Sequence, residues 1–113
     1  MIDLSNSVIY ISGPMSGLPE FNFPAFRKME EFLKENHHPA KIHNPMYTDQ
    51  SLSYDKMVEY DMGLIQNEGT THLILLKGWN KSNGAKKELA LALNLGLQIL
   101  TEEEIYADSF QSL

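Results

Sequence analysis

The chain contains no cysteine and only one tryptophan. Without thiols, disulfides and thiolate metal sites are excluded. No run of about 18 apolar residues occurs, so no segment is expected to span a membrane. The opening residues, Met1-Ile2-Asp3-Leu4-Ser5-Asn6, place no basic stretch ahead of an apolar core. They are not read as a secretory signal, and a cytoplasmic location is expected. Positive charge is also scarce: Lys and Arg number 9 against 15 Asp and Glu, for a net charge of -6. The basic residues are scattered, which argues against duplex nucleic acid as a partner, because that needs a basic face. An acidic chain can still hold a phosphate locally, with backbone N–H groups and a few lysines. His37, His38, His43 and His72 show no metal-ligand spacing, so neither a metal nor a cofactor is expected. No serine–histidine pairing suggests an acyl-transfer triad.

What remains is an ordinary globular composition, 42% hydrophobic and 21% charged, over 113 residues. That length suits one domain, residues 1–113, with a modest core. So small a unit has little room for a deep private pocket. An active site shared with a neighbouring copy, in a homodimer or larger homo-oligomer, is therefore expected.

The elements alternate. Val8-Ile9-Tyr10-Ile11-Ser12 is β-branched and aromatic, a first strand. Asn22-Phe23-Pro24 opens a helix, with Asn22 as its expected cap and Phe26, Met29 and Leu33 as its buried stripe. Lys41 to Pro45 reads as a short strand, and Met46 to Ser53 as a polar, flexible loop. A second helix is predicted from about Tyr54 to Asn67, with Met57, Tyr60, Leu64 and Ile65 facing inward. His72-Leu73-Ile74-Leu75-Leu76 is continuously apolar, which suits a central parallel strand buried on both faces. A loop, Lys77 to Gly84, then leads into a helix from Ala85 to Leu95 closed by Gly96. Leu97 to Leu100 is a last strand, and Thr101-Glu102-Glu103-Glu104 signals a final helix. The pattern predicts a small, doubly wound, Rossmann- or flavodoxin-like α/β fold, with a parallel sheet and helices on both faces. Ligands bind such sheets beyond the carboxyl ends of the strands. The loops after Ser12 and after Leu76 lie there.

The first loop, Gly13-Pro14-Met15-Ser16-Gly17, lets backbone approach a ligand and adds the Ser16 hydroxyl; it equally suits a tight turn. It matches neither the phosphate-loop nor the dinucleotide glycine spacing. In the second, Ser82 and Gly84 sit at a helix N-terminus, where free N–H groups favour an anion. Glu88 lies one turn further in, either as a solvated acid or as a carboxylate at the mouth of a site. Asp61, on the second helix, is the candidate second carboxylate, while Asp55 and Glu59 read as solvated acids. Paired carboxylates at strand ends suit glycosidic cleavage: one nucleophile and one proton donor or sugar anchor. Tyr10 is read either as a core residue or as a hydroxyl aimed at the nucleophile.

Three segments together, Tyr10-Ile11-Ser12-Gly13-Pro14-Met15, Asn22-Phe23-Pro24-Ala25-Phe26 and Ser82-x-Gly84-x-x-x-Glu88, resemble the nucleoside 2-deoxyribosyltransferase-like superfamily. Within it they are most similar to a small bacterial and bacteriophage branch, domain of unknown function 4406. The likeness runs from about Val8 to Leu100. It implies cleavage of a deoxynucleoside or deoxynucleoside 5′-monophosphate, by hydrolysis or by deoxyribosyl transfer, through a covalent glutamyl–sugar intermediate. It implies Glu88 as nucleophile, Asp61 as the assisting aspartate and Tyr10 as the tyrosine that orients the glutamate. Ser82, helped by Ser16 and the Gly13 and Gly17 amides, would bind the 5′-phosphate. Many relatives carry an aspartate just before the central strand, where this chain reads Glu68-Gly69-Thr70-Thr71-His72. In relatives the neighbouring subunit adds a phosphate or sugar contact, for which Ser109 and Ser112 are the candidates. The competing expectation is a catalytically silent protein of phage or bacterial origin that binds or sequesters a nucleotide.

Overall fold

A computed structural model describes the backbone of residues 1–111 and the side chains of residues 1–108. Four strands, β1 (Val8–Ser12), β2 (Lys41–His43), β3 (His72–Leu75) and β4 (Gln98–Thr101), form one sheet in the order β2-β1-β3-β4. All three pairings are parallel, with Tyr10 beside His43 and Leu73, and Leu75 beside Thr101. The two apolar runs occupy the centre, as expected for strands buried on both faces. Their residues Ile9 to Ser12 and His72 to Leu75 are all buried. Lys41 and Gln98, which open the two edge strands, are exposed.

Side-chain alternation along β1 divides the core in two. Ile9 and Ile11 pack with Ile74 against α1 (Phe23–Asn36) and α4 (Glu102–Gln111), through Phe26, Met29, Leu33 and Ile105. Tyr10 packs with Leu73 and Leu75 against α2 (Tyr54–Asn67) and α3 (Asn83–Asn94), through Ile65 and Ala92. Helices therefore cover both faces, and the fold is the doubly wound α/β class that the alternation predicts. From β1 the chain crosses to one side to make β2, then returns across the sheet to make β3. That reversal opens a crevice between the loops after β1 and β3.

Several local readings are corrected. Tyr60 is 54% exposed rather than inward. The inward stripe of α2 runs through Leu64 and Ile65, which pack on the Tyr10 side of the sheet, and Tyr60 falls off its edge. Asn22 does not cap α1 with its side chain; its backbone is left-handed (φ 61°), and its amide instead donates to the Pro14 carbonyl at 3.0 Å. The stretch after β2 is not merely polar loop. It carries a turn of 3-10 helix, Pro45–Tyr47, followed by a buried Thr48. A similar turn, Trp79–Lys81, precedes α3, so Asn83 and Gly84 belong to that helix rather than to the loop.

The start of α4 follows its sequence signal closely. The Glu104 N–H donates to Thr101 Oγ1 at 3.1 Å, and the Thr101 N–H donates back to Glu104 Oε1 at 3.0 Å. This reciprocal box satisfies two helix-end donors. Thr101→Ala should cost about 1 kcal/mol, read as a lower urea midpoint at unchanged slope. A variant as stable as the parent would show that the box contributes nothing.

Candidate functional site

The crevice at the carboxyl edge of β1 and β3 holds a cavity of about 380 Å³. That is within the ~300–1,000 Å³ typical of small-molecule sites. Gly13, Pro14, Met15 and Ser16 line one wall, and Lys81, Ser82, Asn83, Gly84 and Glu88 line another. The two loops singled out in the sequence thus share one pocket. Gly17 is exposed and stands outside this lining, in a turn with φ +81°. A third wall comes from α2 and the turn after β2, including Thr48, Gln50, Tyr54, Met57 and Asp61.

Glu88 is not a solvated acid. It sits one turn into α3 on the side facing β1, and strand alternation sends Tyr10 and Ser12 to that same face. The Tyr10 hydroxyl donates to Glu88 Oε2 at 2.5 Å, and the Ser12 hydroxyl donates to Oε1 at 2.6 Å. Tyr10 is both a fully buried core residue and a hydroxyl donor to Glu88. Burial pushes the Glu88 carboxyl up to about 7, and the negative charge of Asp61 adds to this. The two hydroxyls work the other way, by favouring the ionised form. The Tyr10 phenol is pushed well above its usual range, first by burial and then by the charges of Glu88 and Asp61.

Asp61 lies in the same cavity and accepts a hydrogen bond from the buried Thr48 hydroxyl at 2.7 Å. Burial raises its carboxyl above the usual value, and Thr48 opposes the rise. The Gln50 amide donates to the Thr48 carbonyl at 2.7 Å, which ties this wall together. Asp55 and Glu59 are exposed, as their reading as solvated acids requires.

The N-terminus of α3 also opens onto the cavity. Ser82 Oγ accepts from the Ala85 N–H at 3.1 Å, so this serine caps the helix. Its hydroxyl proton remains available to a ligand. Asn83 and Gly84 occupy the first two helical positions, whose N–H groups have no intrahelical acceptor. Lys81 and, from the β1 loop, Ser16 line the same cavity. Of the serines considered as partner-subunit contacts, Ser112 lies outside the described residues, as does the side chain of Ser109.

Two residues of this arrangement are not among the sequence candidates. Ser12 reads from sequence as a strand end, although Tyr-x-Ser at the end of a buried strand puts two hydroxyls on one face. Thr48 lies in a loop 13 residues from its partner Asp61, with no local pattern to mark it. Among the described residues no group of three or more His, Cys, Asp or Glu side chains could hold a metal ion. No helix among them is long and apolar enough to cross a membrane.

No curated protein matches the chain. A family model does match, over residues 7–101, a span that takes in the whole sheet together with Tyr10, Ser12, Asp61 and Glu88. The chain belongs to that family, described as Domain of unknown function (DUF4406).

Proposed function

We propose that this protein cleaves the N-glycosidic bond of a deoxynucleoside, or of its 5′-monophosphate, with Glu88 as the nucleophile. The observation that carries the reading is a half-buried carboxylate held by two hydroxyls in the wall of a cavity that also contains a second acid. A surface glutamate with no chemical task has no reason to bear the cost of that burial.

In the proposed reaction a Glu88 oxygen attacks the anomeric carbon as the bond to the base breaks. The bonding pair leaves with the base, which takes a proton from Asp61 or from water. Charge builds on the sugar as an oxocarbenium-like transition state, easier to reach when no 2′-hydroxyl withdraws electrons. The resulting glycosyl ester is then opened by water, or by a second base, and Glu88 is regenerated. The α3 N-terminus, with Ser82, Lys81 and Ser16, favours a substrate bearing a 5′-phosphate. Phe21 and Tyr54, 55% and 50% exposed at the cavity, are surfaces that a second copy of the chain would cover in a homo-oligomer.

The test is to incubate the protein with a panel of deoxynucleosides and their 5′-monophosphates and to follow free base by chromatography. Base release, fastest with a monophosphate, is expected. A second free base that becomes glycosylated would mark a transferase; free sugar phosphate would mark a hydrolase. Tight binding without any release would replace the enzyme by a nucleotide-sequestering protein.

A further inference from the structure

Tyr10 and Ser12 are two positions apart on β1 and reach different oxygens of the same carboxylate. A glutamate held by one hydroxyl can still turn about its last side-chain bond, whose preference is broad. Held at both oxygens, it cannot. Ser12 is fully buried, and its hydroxyl is spent on Glu88. It is absent from the residues that line the cavity, so it can act on a bound molecule only through Glu88. Its backbone is fixed as well: the Leu76 N–H donates to the Ser12 carbonyl at 2.8 Å, at the point where β1 and β3 separate into the two site loops.

We propose that Ser12 is a positioning residue, which turns a single tether on Glu88 into a two-point clamp and so fixes the plane in which the carboxylate faces the cavity. The proposal rests on the reading of Glu88 as the reacting group. Both clamp bonds are donated to the carboxylate, so they favour its charged form and leave further lone pairs on each oxygen for the ligand side. The other ionisable groups around Glu88 are Tyr10 on β1, Asp61 and Tyr54 on α2, and Lys81 ahead of α3. Of these, Asp61 opposes ionisation of Glu88, and the hydroxyls of Ser12 and Tyr10 assist it.

Ser12→Ala removes one oxygen from a packed strand and should leave the fold intact. The Glu88 carboxyl should then titrate about one pH unit higher. This is read directly from carbon-13 NMR of labelled glutamate side chains, with the Glu88 resonance identified by its loss in Glu88→Gln. In the base-release assay at pH 6, kcat should fall about tenfold while KM holds, and the loss should shrink as pH rises. Ser12→Thr, which keeps the hydroxyl, should restore the parent titration. A serine with only a packing role would lower stability and leave the titration and the pH profile in place. An unchanged Glu88 titration in Ser12→Ala overturns the clamp, whether or not the parent protein releases base. A shifted titration in a protein that releases no base upholds the clamp and removes only the sugar chemistry.

Discussion

Glu88→Gln should abolish base release, by at least ~10³-fold, and should at the same time make the protein more stable above pH 7. The first effect follows from loss of the nucleophile, since a neutral amide cannot form the glycosyl ester. The second follows from the titration of this half-buried acid. In the folded protein Glu88 titrates at about 7, against 4.5 for a free glutamate. Below pH 4.5 it is protonated in both folded and unfolded chains and contributes no difference. Between these values the folded state holds more protons than the unfolded one, so stability falls as pH rises. Above pH 7 the full penalty is in place, about 3 kcal/mol. Glutamine carries no such penalty. It can accept from one hydroxyl and donate to the other, because a hydroxyl serves in either role. Any cost of that rearrangement is independent of pH. The stability difference between variant and parent should therefore grow from pH 4.5 to 7 and then level off. Urea unfolding across that range measures it. A difference that stays flat with pH would mean that Glu88 is not held in the environment described.

Gly13→Ala should be the most disruptive small change at the site, costing about 1–3 kcal/mol or more. A methyl group at Gly13 would lie 2.8 Å from Leu76 Cβ and 3.2 Å from Leu76 Cγ and Cδ1. The nearest of these atoms is attached directly to the backbone one residue beyond β3, so no side-chain rotation relieves the contact. The backbones of β1 and β3 must part instead. That parting loosens the 2.8 Å bond from the Leu76 N–H to the Ser12 carbonyl and displaces the wall formed by Pro14, Met15 and Ser16. Two controls sharpen the expectation. Leu76→Ala should not rescue Gly13→Ala, because alanine retains the offending Cβ. Gly17→Ala meets nothing within 4 Å and suffers only from its positive φ, so its cost should stay near 1 kcal/mol. Equal urea midpoints for the two glycine variants would contradict this account of the close approach.

The central strands were legible because burial on both faces leaves a run of apolar residues that no surface element can imitate. The helices were legible where one stripe was strongly apolar, as with Phe26, Met29 and Leu33. The errors have local causes. Tyr60 sits at the border of a stripe, where helical spacing alone does not decide exposure. Asn22 carries a capping side chain, yet the left-handed backbone at Glu20, Phe21 and Asn22 aims its amide at the Pro14 carbonyl instead. For the site, residue types and strand ends pointed to Glu88, Asp61 and Tyr10. What could not be read was the environment of Glu88. Its burial depends on β1 and α3 meeting across a sequence separation of 76, and only that meeting shows Ser12 to be a partner. Thr48 was hidden for the same reason, since its role exists only through the fold.

That Glu88 itself bonds to the sugar is tested by peptide mapping with mass spectrometry after rapid acid quench. The protein, mixed with a deoxynucleoside 5′-monophosphate that it turns over, should carry deoxyribose 5-phosphate as an ester on the peptide containing Glu88, and that adduct should be absent from Glu88→Gln. Undiminished base release by Glu88→Gln, or a sugar ester on any other side chain, would contradict it.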